Sequence, residues 1–128
     1  MSHWTEQRCE LDDIDTLEKS AIELGCTVLR NAKARGWGSD TKVSDLVIQI
    51  PDGRYDIAVN RKDDGTLSVE GDMYDGSIKR LLGDDRGGMA KLFDMYGIVK
   101  CEAVAKRKRI RTKRISSKAG RMQLEVYV

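Results

Sequence analysis

Two turn signals in the middle of the chain constrain the fold more than any other feature. Pro51-Asp52-Gly53 and Lys62-Asp63-Asp64-Gly65 cut residues 43–73 into three short runs. Asp-Gly is the strongest short-range hairpin signal, because both residues tolerate the backbone a tight reversal needs. The runs they bound are strand-like. Val43 to Ile50 is rich in β-branched residues, and Tyr55 to Arg61 alternates Tyr55, Ile57 and Val59 with Asp56, Ala58 and Asn60. Leu67 to Met73 returns as a third strand. Three strands joined by tight turns form an antiparallel meander.

Helical spacing flanks the meander on both sides. Ile14, Leu17, Ala21 and Leu24 recur at helix period behind a capping aspartate, Asp12 or Asp13, and Gly25 stands where a C-terminal glycine belongs. Met89, Leu92, Phe93, Tyr96, Val99 and Ala103 share a face in a second helix. Ser77 to Leu82 reads as a helical turn. Trp4 to Leu11 and Thr27 to Arg30 read as further strands, Arg35 to Asp40 and Gly83 to Gly88 as loops. A closing hairpin runs from about Arg109 to Ser116 and from Met122 to Val128. Its last arm alternates Met122, Leu124, Val126 and Val128 with polar positions, as a half-buried strand does. The element order is β-α-β-β-β-β-α-β-β. That order predicts one α+β domain over 1–128, a mainly antiparallel sheet with two helices packed on one face.

Composition narrows the class. A chain of 128 residues that is 40% hydrophobic and 34% charged can close a modest core. No apolar run approaches the roughly 20 residues of a membrane span. The start Met1-Ser2-His3-Trp4-Thr5-Glu6 lacks the basic and apolar stretches of a signal peptide. A cytoplasmic protein is expected. Cys9, Cys26 and Cys101 fit neither a disulfide framework nor a zinc pattern.

Classical catalysis finds little footing. His3 is the single histidine and lies at the N-terminus. Gly83 to Gly88 has the glycine spacing of a phosphate loop, but Met89 and Ala90 stand where Lys and Ser/Thr are required. The aspartate pairs at 12–13, 63–64 and 84–85 read as caps and turns rather than cation ligands. No metal and no cofactor are expected.

Charge is distributed unevenly. Residues 1–100 carry 14 Lys+Arg against 19 Asp+Glu, whereas 101–128 carry 9 against 2. Seven cations crowd nine positions: Lys106, Arg107, Lys108, Arg109, Arg111, Lys113 and Arg114, with Lys118 and Arg121 beyond them. If the strand begins near Arg107, period-two alternation puts Arg107, Arg109, Arg111 and Lys113 in one exposed row. Ile110 and Thr112 then turn inward, and Tyr127 lies on the side of the cations. Such a row suits a phosphate backbone, and Arg suits bidentate phosphate contact. The plain alternative is an edge strand charged against aggregation.

Several short motifs resemble a known family. The opening Met1-Ser2-His3-Trp4, the helix end Glu23-Leu24-Gly25, the loop Arg35-Gly36-Trp37-Gly38, the strand Gly53-Arg54-Tyr55-Asp56-Ile57 and the helix Lys91 to Tyr96 carry the likeness. They resemble the uncharacterised family first noted as hypothetical chloroplast reading frame thirty-five, with plastid, cyanobacterial, bacterial and phage relatives. The resemblance implies a small soluble protein and brings no activity. It marks Arg35, Trp37, Tyr55, Asp56, Lys91 and Tyr96 as motif residues.

Three functions follow as expectations. The first is a non-catalytic protein whose basic hairpin docks RNA or DNA phosphates. The second is an interaction or self-assembly component whose basic face meets an acidic protein surface, on another protein or a second copy. The third is a small enzyme using Arg35, Tyr55, Asp56, Lys91 or Tyr96.

Overall fold

The computed structural model describes residues 4–6, 11–116 and 122–127. The protein is α+β. Strands β1 (Trp4–Glu6), β2 (Thr27–Arg35), β3 (Thr41–Gln49), β4 (Asp56–Arg61) and β5 (Leu67–Asp72) form one antiparallel sheet in the order β1-β5-β4-β3-β2. The expected meander is its centre. Gly65, at φ 87°, closes the β4–β5 turn, and its N–H donates to the Lys62 carbonyl. Ile48 pairs with Ile57, and Val59 with both Leu46 and Val69. These residues therefore line one face together.

That face holds the main core. Helix α1 (Ile14–Glu23) brings Leu17 and Ala21, α2 (Ser77–Leu82) brings Ile78 and Leu82, and α3 (Ala90–Arg107) brings Leu92 and Tyr96. All pack with Leu46, Ile48, Ile57, Val59, Leu67 and Val69. The helices thus cover one face, as expected, with the short α2 as a third. A smaller cluster of Ala34, Val47 and Ala58 packs with Trp4 and Ala32. Among the described residues, no helix is long and apolar enough to cross a membrane.

Capping follows the sequence reading. Asp13 is the N-cap of α1, and its carboxylate accepts the Thr16 N–H at 3.2 Å and the Thr16 hydroxyl at 2.7 Å. The Tyr96 hydroxyl of α3 accepts the Asp13 N–H at 3.1 Å, tying the two helices together. The Thr16 hydroxyl bond, helped by Lys100, holds the Asp13 carboxyl below its ordinary 3.8. A carboxyl depressed in the folded state stabilises above its unfolded pKa, and that contribution is lost as pH falls through the folded value. Asp13→Ala should therefore cost about 1 kcal/mol at pH 7 and much less near pH 2. Urea midpoints of the two proteins at both pH values check this; an equal gap at both would refute it.

Two expectations fail at the C-terminal end. The reading of a strand from Arg107 is overturned, because α3 runs on through Arg107, and Arg109 lies in the turn that follows. Ala103, Ala105, Lys106 and Arg107 are good helix formers, and cations in the last turn complement the helix dipole. β6 (Arg111–Ser116) starts later than expected. β6 and β7 (Met122–Tyr127) then form a separate two-stranded sheet. An open concavity of about 620 Å³, flanked by Phe93, Ile98, Ile115 and Leu124, lies between α3 and this hairpin. The hairpin leans on the helix without sealing a core. Leu124 is half-buried, while Met122 and Val126 are exposed, so the expected half-buried strand is not found.

The outer reaches of two strands also differ. β2 continues to Arg35 rather than ending at Arg30, since it pairs with β3 as far as Arg35 opposite Thr41. β1 is Trp4–Glu6; the expected continuation through residues 7–10 lies outside the described residues, and Leu11 is buried beyond it.

Candidate functional site

The cations gather where α3 turns into β6. Lys106 and Arg107 form the last turn of the helix, Lys108 is its C-cap, Arg109 is the vertex, and Arg111 and Lys113 lie on the strand. All six side chains are exposed. The predicted row of four is reduced to two, because Arg107 is helical and Arg109 lies in a left-handed turn at φ 58°. Arg111 and Lys113 do share a face of β6, with Thr112 on the other, as alternation requires. Ile110 is half-buried, as expected.

Arg114 behaves differently. Its guanidinium clamps Glu102 of α3 at 2.6 and 2.9 Å and Glu23 of α1 at 2.8 and 3.1 Å. Those carboxylates, Glu102 foremost, hold it well above the ordinary arginine value. Arg114 fastens the hairpin to the helices and is removed from the binding set. Lys118 and Arg121 lie outside the described residues.

An aromatic ring joins the cations. Tyr127 pairs directly with Arg111 across the hairpin, and Lys113 with Glu125. Arg111, Thr112, Lys113 and Tyr127 line a concavity of about 370 Å³. Tyr127 is 43% exposed. Its bond to Glu125 and its partial burial hold the phenol above its ordinary value, so it stays neutral at physiological pH. The niche offers two cations and a ring face, with the Tyr127 hydroxyl engaged by Glu125.

Among the other cations of the chain, Lys19, Lys33, Lys79, Arg80 and Lys91 are scattered on the surface, exposed and without an ion pair among the described residues, and those that follow are paired. Arg30 pairs with Asp15 and Glu18, Arg35 with Asp56, Arg86 with Asp84 and Asp94, and Lys100 with Asp12 and Asp13. Among the described residues, Lys106, Arg107, Lys108, Arg109, Arg111 and Lys113 have no such pairing.

The motif residues fall into separate groups. Arg35 binds the buried Asp56 through its backbone N–H at 2.9 Å, Nε at 3.0 Å and Nη2 at 2.9 Å. Trp37 is exposed, its N–H held by Asp72 at 3.1 Å; Asp72 also takes the Tyr74 N–H. Tyr55 is buried, and burial together with Asp72 and Asp75 raises its phenol, which argues against a base there. Tyr96 serves the α1 cap and Lys91 is exposed on α3. The five enzyme candidates are not joined in one hydrogen-bonded set. Among the described residues, no cluster of three His, Cys, Asp or Glu side chains could hold a metal ion. Cys26 is buried, which pushes its thiol up to about 11, and Cys101 is exposed.

Sequence reasoning missed one residue, Asp72, and the structural roles of two it had named among the cations, Arg109 and Arg114. Asp72 gave no signal, being one aspartate among many on a strand. The left-handed Arg109 had a faint one, its position just past a helix end. Arg114 was hidden inside the charge run.

No family model, curated protein or solved structure matches the chain. The plastid-family resemblance rests on the quoted motifs alone.

Proposed function

We propose that the α3–β6 corner docks the phosphate backbone of a nucleic acid, without catalysis. The observation that carries this reading is the crowding of unpaired charge. Exposed cations without an ion pair are scattered singly or in a pair elsewhere, whereas six of them fall within residues 106–113 at this corner. Helix-dipole complementation accounts for Lys106 and Arg107 only, since the effect fades within the last turn. Edge protection of β6 needs one or two lysines, not Arg111 and Lys113 beside a run of four more. A phosphate chain supplies regularly spaced charge to all six.

The niche beside Tyr127 adds ring contact to charge, and base–aromatic stacking tolerates any sequence. The reading is therefore of binding with little sequence preference. Exposed charges add little to stability, so the corner can be altered without unfolding the chain.

Anisotropy of labelled single-stranded and duplex RNA and DNA, across a salt series, tests this. The logarithm of affinity should fall linearly with the logarithm of salt. The double variant Arg111→Ser/Lys113→Ser should flatten the slope by roughly 1.4–1.8, two phosphate contacts, while leaving the urea midpoint unchanged. Absence of binding to every probe at 50 mM salt sinks the reading. Binding to polyglutamate as tight as to RNA would move it to an acidic protein partner.

A further inference from the structure

Two helices of this chain end in the same hydrogen-bond pattern. At the end of α1, the Gly25 N–H donates to the Ile22 carbonyl at 3.0 Å and the Cys26 N–H to Ala21 at 3.0 Å. At the end of α3, the Arg109 N–H donates to Lys106 at 3.1 Å and the Ile110 N–H to Ala105 at 2.8 Å. Both are Schellman endings, in which the residue after the C-cap adopts left-handed backbone. Gly25 has φ 94° and Arg109 has φ 58°.

The first helix uses the residue the motif favours. Glycine has no Cβ to crowd the neighbouring carbonyl, so it enters this region without penalty. Arginine has the Cβ. Among the described residues, the two other non-glycine residues at positive φ are Asn31 and Asp52, whose short polar chains tolerate it. Arg109 is the outlier of the three.

The fold offers no compensation for it. Among the described residues, Arg109 makes no ion pair, and its side chain is exposed. Glycine would hold the same turn and the same two backbone bonds. What distinguishes arginine at this vertex is the guanidinium alone, placed between Lys106–Arg107 on the helix and Arg111–Lys113 on the strand. Backbone strain without an internal return points to a task outside the monomer.

We infer that Arg109 is a phosphate-contacting residue kept against the backbone preference of its position, a reading that rests on the phosphate docking proposed above. The strain is local, so removing it and removing the charge are one substitution with two opposite readouts.

Arg109→Gly is the test, with wild type and Arg111→Ser/Lys113→Ser alongside. Urea unfolding and RNA anisotropy against salt are measured on all three full-length chains. Arg109→Gly is expected to unfold at higher urea than wild type, because the strain is relieved. Its salt slope is expected to be shallower by about 0.7–0.9, one phosphate contact. An unchanged slope in Arg109→Gly, with a flattened slope in the double variant, overturns the role of Arg109 and leaves the docking reading standing. A lower urea midpoint in Arg109→Gly overturns the strain on which the inference stands. Failure of wild type itself to bind any nucleic acid removes the docking reading, and the inference with it.

Discussion

Leu92→Ala is expected to destabilise the protein by about 3–4 kcal/mol, whereas Val126→Asp should change stability by less than about 1 kcal/mol. Leu92 is 0% exposed and lies in the main cluster between α3 and the sheet. Truncating it removes buried methyl groups and leaves a cavity that close-packed neighbours only partly fill. Val126 is 49% exposed on a strand that seals no core, so an aspartate there keeps its water. Periodicity alone puts both in the core, because Val126 alternates as buried strand residues do. Urea midpoints of both variants decide between them. Loss of stability in Val126→Asp comparable to Leu92→Ala would mean that the hairpin packs more closely than the structure has it. Leu92→Ala carries a functional consequence as well. Leu92 anchors one end of α3, and the cations sit about 22 Å along the same helix. A variant that loosens the anchor should weaken the proposed nucleic-acid binding only to the extent that it unfolds.

The meander was legible because every local signal agreed with it. Pro51-Asp52-Gly53 and Asp64-Gly65 reverse the chain where alternation pauses, and Ile57 and Val59 then land beside Ile48 and Leu46 without further information. The α1 boundaries were legible for the same reason, since Asp13 and Gly25 mark both ends in the residue types that caps require. The end of α3 was not. Arginine and lysine serve equally well in a helix turn and on an exposed strand, so Lys106 to Arg111 carries no local stop signal. The residue that does stop the helix is Arg109, in a conformation that arginine rarely takes, and a reader of sequence looks for glycine there. The hairpin misled for a different reason. Alternation in Met122 to Val126 reports a strand, but which of its faces meets a core depends on tertiary packing.

The candidate site was legible as charge and not as geometry. A run of seven cations is visible in any reading, but Arg114 is sorted from the rest only by Glu23 and Glu102, which come from two distant helices. Tyr127 joins the corner through its register opposite Arg111. The motif residues teach the converse. Arg35, Asp56 and Tyr96 stand out as chemistry in sequence, yet each spends its polar atoms on internal bonds. Polar residues inside a small domain are as often fasteners as tools, since a buried donor or acceptor left unpaired is costly.

Arg35→Ala should therefore cost about 2–3 kcal/mol of stability and leave the proposed nucleic-acid binding unchanged. Asp56 is 1% exposed, and both carboxylate oxygens are engaged by Arg35. Without the guanidinium, the carboxylate keeps one backbone donor and no counter-charge. Breaking a fully buried pair costs about 3–5 kcal/mol, and the figure here is lower because the Arg35 side chain is 51% exposed and water can follow it in. Asp56→Asn should cost less, about 1–2 kcal/mol, since an amide oxygen still accepts the Arg35 N–H. Combining Arg35→Met with Asp56→Leu should recover much of the loss, because an apolar pair leaves no charge stranded. The double-mutant cycle isolates that coupling. A cost below about 1 kcal/mol for Arg35→Ala would show that Asp56 is reached by water and that the pair is ornamental. If instead Arg35→Ala abolished binding with the fold intact, the functional site would lie at the β2–β4 end of the sheet and not at the cation corner.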